Sequence, residues 1–412
     1  MDTLSRLALP GYHPNPARMP PLGTRRRVNK PWNGHLHPRD DDLVCDGRSE
    51  MLVPLFADHY YGGVFVGNTY PAITTPLISL QKKATWQALI PPSSRFEIRI
   101  AALLTEETTP EMIIAGYDQP DGQQAFDVMK MYLKSVSNAT GHDVDNIDKV
   151  IPCIHAMTYT KWQHQREPMR LMIHAERKWD FAGARIGILD REFHAMQRDI
   201  MRILAKVPDA ILIICHVSDK RTIEFIRYLR SLGYWVYGEI APQYAIWCLD
   251  DLFEDSKGGT ALNGPIFNVP CFKQEDSRVV VLETMLSGDP GFFFASDDAC
   301  HGDNENSNRL RGFKIVDGRV IGGGTQLPEA VVSFVLECFE EAGKIEMADN
   351  FLSHFGRDAH GLPRYDMPEW YERYDWTVQD RIERTSPLLG YIRSKLAMAG
   401  MPRRFKRIMK AA

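Results

Sequence analysis

Residues 33–42 read NGHLHPRDDD, which sets His35, His37 and Arg39 on alternate positions ahead of Asp40, Asp41 and Asp42. In an extended strand alternate side chains share a face. Two imidazoles and a guanidinium make a poor apolar core, because every one of their nitrogens needs a partner. Two readings are open at this point: an exposed polar strand end, or a metal-binding pair beside an anion clamp. Four more residues bear on the choice, each set at or near the end of a short apolar run: Lys130 in AFDVMKMY, His174 in RLMIHAE, His216 in AILIICHVS and Asp297 in GFFFASDD. Each has an ordinary explanation alone: a rim histidine, a lysine snorkelling to the surface, or an aspartate capping the next helix. Together they form a set. Imidazole and carboxylate suit Zn(II) or a similar divalent ion, with a position left open for water in a catalytic site. A lysine among such ligands fits if its neutral amine takes up carbon dioxide, giving a carbamate whose two oxygens bridge two metals. Positive charge crowded around it is expected to lower its pKa and favour that reaction.

The elements that must position these residues follow a repeating pattern. WNGHLHP (32–38), GVFVGN (63–68), RFEIRIAALLT (95–105), AFDVMKMY (125–132), RLMIHAE (170–176), AILIICHVS (210–218), YWVYGEIAP (234–242) and GFFFASDD (291–298) are strand candidates. Between them lie amphipathic stretches such as EFHAMQRDIMRILAKV (192–207) and KRTIEFIRYLRSLG (220–233). In the latter, Phe225, Ile226, Leu229 and Leu232 are expected on one buried stripe. Continuous apolar strands alternating with helices imply a parallel sheet covered on both faces. Eight such strands predict an α/β fold, a (β/α)8 barrel, whose active site lies at the C-terminal ends of the strands. The chemically equipped residues fall at those ends.

Composition bounds the rest. The 412 residues are 44% hydrophobic and 25% charged with a net charge of −4, values of a soluble globular protein with no overall pull toward nucleic acid. No apolar run nears the roughly 18 residues needed to span a bilayer, and the N-terminus lacks a secretory pattern. Seven cysteines without a C-x-x-C pair suggest reduced thiols and a cytoplasmic location. A loosely ordered basic arm is expected over 1–27, the barrel domain over 28–363, and an extension over 364–412. The segment after Thr385 holds seven Lys or Arg and no acid, and is read as a solvated last helix.

The motifs HLHPRD (35–40), GNTYPAITT (67–75), LLTEETTPE (103–111), KMY (130–132), IHAE (173–176), CHVSDK (215–220), IAPQY (240–244), VPCFKQEDSR (269–278) and SDDACH (296–301) resemble the dihydroorotases of the amidohydrolase superfamily, the bacterial type whose first motif is H-x-H-x-R-D. FGRDAHGLP (355–363) is similar to the segment that closes the barrel there. The resemblance implies that His35, His37 and Asp297 hold one divalent ion, His174 and His216 a second, with carboxylated Lys130 bridging. Zinc is the implied metal. It further implies that Arg39, Asn68 and His301 bind a substrate carboxylate, and that backbone groups at Val269 and Leu327 hold the ring edge. A hydroxide between the ions would attack the ring carbonyl of dihydroorotate, and Asp297 would carry its proton to the leaving nitrogen. Run backwards, this is the ring-closing step of pyrimidine synthesis. The implied partner is a small molecule, with no nucleic acid or membrane, and a homodimer is left open.

The chain departs from the pattern at Pro38, at Asp298 beside Asp297, and across 302–326. Asp298 is expected to bring a further negative charge near the site. His142, His155, His164 and His194 are read as surface residues. Cys215 and Cys300, each one residue before a proposed functional histidine, are expected to face the core. Two other readings are carried: a relative acting on another cyclic amide or imide, and an inactive scaffold serving as a partner. The complete ligand set argues against the latter.

Overall fold

The computed structural model of the chain describes residues 11–12, 14–39, 49–117, 124–133, 142–164, 168–175, 187–254, 261–262, 270, 272–299, 314–316, 319–321, 328–373 and 405–407. Eight parallel strands form the centre: β1 (Trp32–His37), β2 (Gly62–Val66), β3 (Glu97–Leu103), β4 (Val128–Tyr132), β5 (Arg170–His174), β6 (Ile211–Ile214), β7 (Val236–Ile240) and β8 (Phe292–Phe294). Each pairs with the next along the chain. The ring closes through β8. Phe292–Phe294 pairs with Gly238–Ile240, and four residues later Asp298 and Ala299 pair with Leu36 and His37 of β1. This is the expected (β/α)8 barrel. The strands form because their residues are apolar on both faces: β2, read GGVFV, and β4, read VMKMY, are buried at every position.

Helices α1 (Ser49–His59), α2 (Pro76–Leu89), α3 (Pro110–Tyr117), α4 (Ile147–His164), α5 (Gly187–Lys206), α6 (Lys220–Ser231), α7 (Glu275–Met285) and α8 (Pro328–Glu341) follow the strands in turn. In α6, whose Arg221 amide is capped by the Asp219 carboxylate, the buried row is Thr222, Ile223, Phe225, Ile226 and Leu229. Leu232, expected on that stripe, is 54% exposed. The helix ends at Ser231 and the chain turns at Gly233, with φ +91°, so Leu232 leaves the helical period. No helix among the described residues is long and apolar enough to cross a membrane.

Inside the barrel, Trp32, Val64, Val66, Ala101, Val128, Met172, Ile213 and Phe293 pack together, and Phe355 and Ala359 join them at the N-terminal end. The segment Phe355–Ala359 thus closes that end, as expected. A Cβ at Gly34 would lie 2.6 Å from the Phe293 ring, so only glycine lets β1 approach β8 beside His35.

The termini differ from their expected form. Arg25–Asn29, which straddles the end of the expected loose arm, is a strand paired antiparallel with Pro368–Arg373, which in turn pairs with Phe405–Arg407. Arg25 meets Glu372 at 3.2 Å, Arg27 meets Asp366 at 2.5 Å, and Arg26 meets Glu340. Arg407, in the tail read as a helix, binds Asp58 at 2.6 Å. Acidic partners more than 300 residues away order these basic residues, and no local window of sequence contains them.

Candidate active site

The C-terminal ends of β1, β4, β5, β6 and β8 bring six expected ligands together. His35 Nε2 lies 3.4 Å from Asp297 Oδ1, and His37 Nε2 lies 3.1 Å from the same oxygen. Lys130 Nζ stands 3.1 Å from His35 Nε2. His174 Nδ1 and His216 Nε2 are 2.8 Å apart, and the His216 ring is 5.4 Å from that of His35. All six are buried. The donor atoms of His35, His37 and Asp297 lie within 4.8 Å of one another, a group able to hold a cation. The buried His216 Nδ1 has no hydrogen-bond partner, which leaves a lone pair or a proton for something further. The donor set therefore fits divalent ions.

The backbone is bent where these residues sit. Among the described non-glycine residues, positive φ occurs at Arg39 (+43°), His216 (+36°) and Asp297 (+52°), each just beyond a strand end. Such angles are held only where the surroundings over-determine them, and they cluster at functional sites. β1 also shifts register against β2 between Asn33 and Leu36, a bulge that spans His35.

Electrostatics keep the imidazoles ready to ligate. Burial, aided by the Lys130 cation, holds His35 well below its ordinary pKa; burial and Arg39 do the same for His37. Burial and His174 lower His216. Neutral imidazole is the form that binds metal. Lys130 behaves differently from expectation. Burial works to lower it, but Cys215, Tyr132, Glu239 and Asp297 outweigh burial and raise it above its ordinary value.

Two residues at the site were not foreseen. Glu239 Oε2 accepts from His35 Nδ1 at 2.8 Å and from the His216 amide at 3.1 Å, while burial pushes its carboxyl up to about 8. It fixes the His35 ring so that Nε2 faces the cluster, the usual role of a carboxylate behind a metal-binding histidine. The available signal was a lone acid inside the apolar run YWVYGEIAP. Cys215, expected to face the core away from its histidine, has Sγ 3.3 Å from Lys130 Nζ. β6 ends at Ile214 and His216 has left-handed backbone, so two-residue alternation fails just there and both side chains reach the site. His35, Cys215 and Glu239 form a second group with donor atoms within 4.8 Å.

Arg39 and Asn68 flank this centre. The Arg39 charge is felt by His37, His35 and Tyr132. Asn68, two residues beyond β2, has a buried Oδ1 with no hydrogen-bond partner. Asp298 does not add free charge to the site. It is buried on the outer side of the barrel wall and accepts from the Tyr60 hydroxyl at 2.8 Å. Val269, His301 and Leu327, expected at the substrate, lie outside the described residues, as does Cys300. His155 and His194 are on the surface, as expected.

No family model matches the chain. A dihydroorotase of Teredinibacter turnerae is 24% identical over 367 residues, spanning 86% of this chain and 91% of that protein. One from Delftia acidovorans is 24% identical over 353 residues, with 86% and 91% covered. Among solved structures, the Saccharomyces cerevisiae dihydroorotase in complex with 5-fluoroorotic acid superposes with TM-score 0.68 at 19% identity, over 85% of this chain and 90% of that one. The L-hydantoinase (dihydropyrimidinase) of Arthrobacter aurescens gives TM-score 0.60 at 15% identity, over 82% and 72%. The structural likenesses carry the fold, and the sequence likenesses extend over nearly the full length of the relatives. The chain is thus similar in sequence to dihydroorotases over nearly their full length, and it shares the fold of a solved dihydroorotase.

Proposed function

We propose that the protein is a metal-dependent cyclic amide hydrolase that interconverts dihydroorotate and N-carbamoyl-aspartate. The observation that carries this reading is the convergence of His35, His37, Lys130, His174, His216 and Asp297 on one strand-end site with Arg39 beside it. His35, His37 and Asp297 would hold one divalent ion and His174 and His216 a second, zinc by the chemistry of the donors, with N-carboxylated Lys130 between them. Bound there, the ions would supply an activated water at neutral pH and polarise the ring carbonyl. Asp297 would accept the proton of the attacking water and deliver it to the departing ring nitrogen. Arg39 presents a fork that matches the two oxygens of a carboxylate, and Asn68 adds an amide beside it. Val269, His301 and Leu327 complete the proposed substrate contacts.

That clamp favours dihydroorotate over a hydantoin-like ring without a carboxylate, although the barrel is shared with hydantoinases. Four buried free cysteines, Cys153, Cys215, Cys248 and Cys338, support a cytoplasmic protein, and a homodimer is part of the same proposal. The test is to purify the protein with zinc and bicarbonate, count metals and assay dihydroorotate hydrolysis for the wild type and Lys130→Ala. Two ions with turnover lost in the variant support the reading. A metal-loaded wild type inert on dihydroorotate redirects it to another cyclic amide, and a wild type that takes up no metal overturns it.

A further inference from the structure

The buried layer behind Asp297, on the outer side of the strands, is unusually polar. Asn33, Ser296, Asp298 and Gln243 are each at most 3% exposed, and Tyr60 is fully buried. Their groups are linked in one hydrogen-bonded network. Ser296 donates its amide to Asn33 Oδ1 at 3.0 Å, its Oγ accepts from Asn33 Nδ2 at 2.5 Å and from the Asp298 amide at 3.2 Å, and its carbonyl accepts from Gln243 Nε2 at 3.1 Å. Asn33 Oδ1 also accepts from the His35 amide at 3.1 Å. Tyr60, just beyond α1, donates its hydroxyl to Asp298 Oδ2 at 2.8 Å. Residues 296 and 298 are therefore both clamped, and the residue between them is Asp297, with φ +52°.

Left-handed backbone at a non-glycine residue is costly, and persists only where neighbouring contacts impose it. Asp297 makes no such contact with its own backbone among the described hydrogen bonds; its carboxylate is engaged with His37 and His35. A buried polar network is costly when half satisfied and specifies one geometry when complete. Apolar residues would fill the same wall without that cost.

We propose that Tyr60 and Asp298, through Ser296 and Asn33, are positioning residues that hold Asp297 in its left-handed conformation and so aim its carboxylate at the cluster. The same network holds the amide of His35, so one buried device sets two ligands from opposite ends of the ring closure. Its catalytic consequence rests on the function proposed above; its consequence for cation binding does not.

The test combines two readouts on the full-length protein: titration of the metal-stripped protein with Co(II), followed by its visible absorption, and dihydroorotate hydrolysis of the zinc-loaded protein. Removing a residue that orients a metal ligand costs about 10- to 100-fold in metal affinity or activity. Tyr60→Phe is expected to weaken Co(II) binding about tenfold, alter its absorption bands, and lower kcat about tenfold with KM nearly constant. Asp298→Ala is expected to match it and keeps the test open should Tyr60→Phe not fold. The double variant is expected to be no worse than either single one, as for residues acting as a unit. Asp298→Asn retains an acceptor for the Tyr60 hydroxyl and is expected to stay within about threefold of the wild type. Wild-type Co(II) affinity and spectra in Tyr60→Phe and Asp298→Ala, even with a lowered Tm, overturn the proposal and leave the network a stability feature. A wild type inert on dihydroorotate breaks the functional reading instead, and the Co(II) arm still decides the inference.

Discussion

The two ends of the barrel are built to opposite rules. At the C-terminal mouth, Arg39, His216 and Asp297 take positive φ, and buried atoms such as His216 Nδ1 and Glu239 Oε1 are without partners. At the N-terminal end the cations are answered. Arg357 donates to Glu97 at 2.9 Å and to the Pro363 carbonyl at 2.6 Å, and lies over the Trp32 and Tyr365 rings. Arg99 reaches Asp127 at 3.0 Å, and Arg170 donates to the Ala359 and Pro168 carbonyls. Strained backbone gathers at the mouth, where a ligand can bind, and paired cations gather where the fold is sealed. The contrast predicts that substitutions at the mouth change turnover more than stability, and substitutions at the closed end do the reverse.

The strongest challenge to that contrast is Asp297→Asn. It keeps the shape and tolerates left-handed backbone, but removes the proposed base. Turnover is expected to fall about 10²- to 10⁴-fold with little change in Tm, measured by steady-state kinetics beside a thermal melt. A large loss of Tm with modest loss of kcat would break the division. Arg39→Met comes next. Losing a charge-assisted clamp worth about 1.5–3 kcal/mol is expected to raise KM for dihydroorotate roughly 10- to 100-fold, more than it lowers kcat. An unchanged KM would remove Arg39 from the substrate.

How much of this was legible follows the same division. The strands could be read because each is a continuous apolar run, and the ligands because polar residues at the ends of such runs stand out. His35, His37, Lys130, His174, His216 and Asp297 all converge as expected. Glu239 sits no deeper in its strand than Lys130 does, and it was passed over although the same signal, a charged residue in an apolar run, marked it. Cys215 was turned the wrong way because His216 breaks the alternation on which the reading relied. The Tyr60–Asp298 bond joins residues 238 apart, and the zipping of the basic termini joins residues further apart still; neither leaves a mark in any short window. Most of the groups that raise Lys130 here, Cys215, Glu239 and Asp297, also come from other strands.

At the closed end, Arg357→Met removes one of the two cationic partners of Glu97, the other being Arg99, and an aromatic-stacked guanidinium. Arg357 is buried and Glu97 partly exposed, so the cost is expected to be about 2 kcal/mol, below that of breaking a fully buried pair. A melt is expected to show Tm lower by a few degrees, with kcat and KM of the folded enzyme unchanged. Loss of turnover at full stability would show that the two ends are coupled.

The smallest expected effect concerns His360, which like Trp32 Nε1 is buried without a partner at the closed end. His360 packs against Trp32 and Phe293, yet neither of its buried ring nitrogens has a hydrogen-bond partner. Burial, with Arg170, Arg99 and Arg357 nearby, lowers its pKa to about 3. In the unfolded chain it returns to about 6.5. Between those values the unfolded state binds a proton that the folded state refuses, so stability rises with pH there and is lost as pH falls below about 6.5. One full proton corresponds to about 1.4 kcal/mol per pH unit. His360→Leu removes that contribution while leaving the buried metal-site histidines, which titrate in the same direction, present in both proteins. Denaturant unfolding at pH 6.5 and 5.0 is therefore expected to show a smaller loss of stability in His360→Leu than in the wild type, with equal turnover at pH 8. Parallel losses would mean that His360 accepts a proton in the folded barrel, and that the closed end tolerates an unanswered charge as the mouth does.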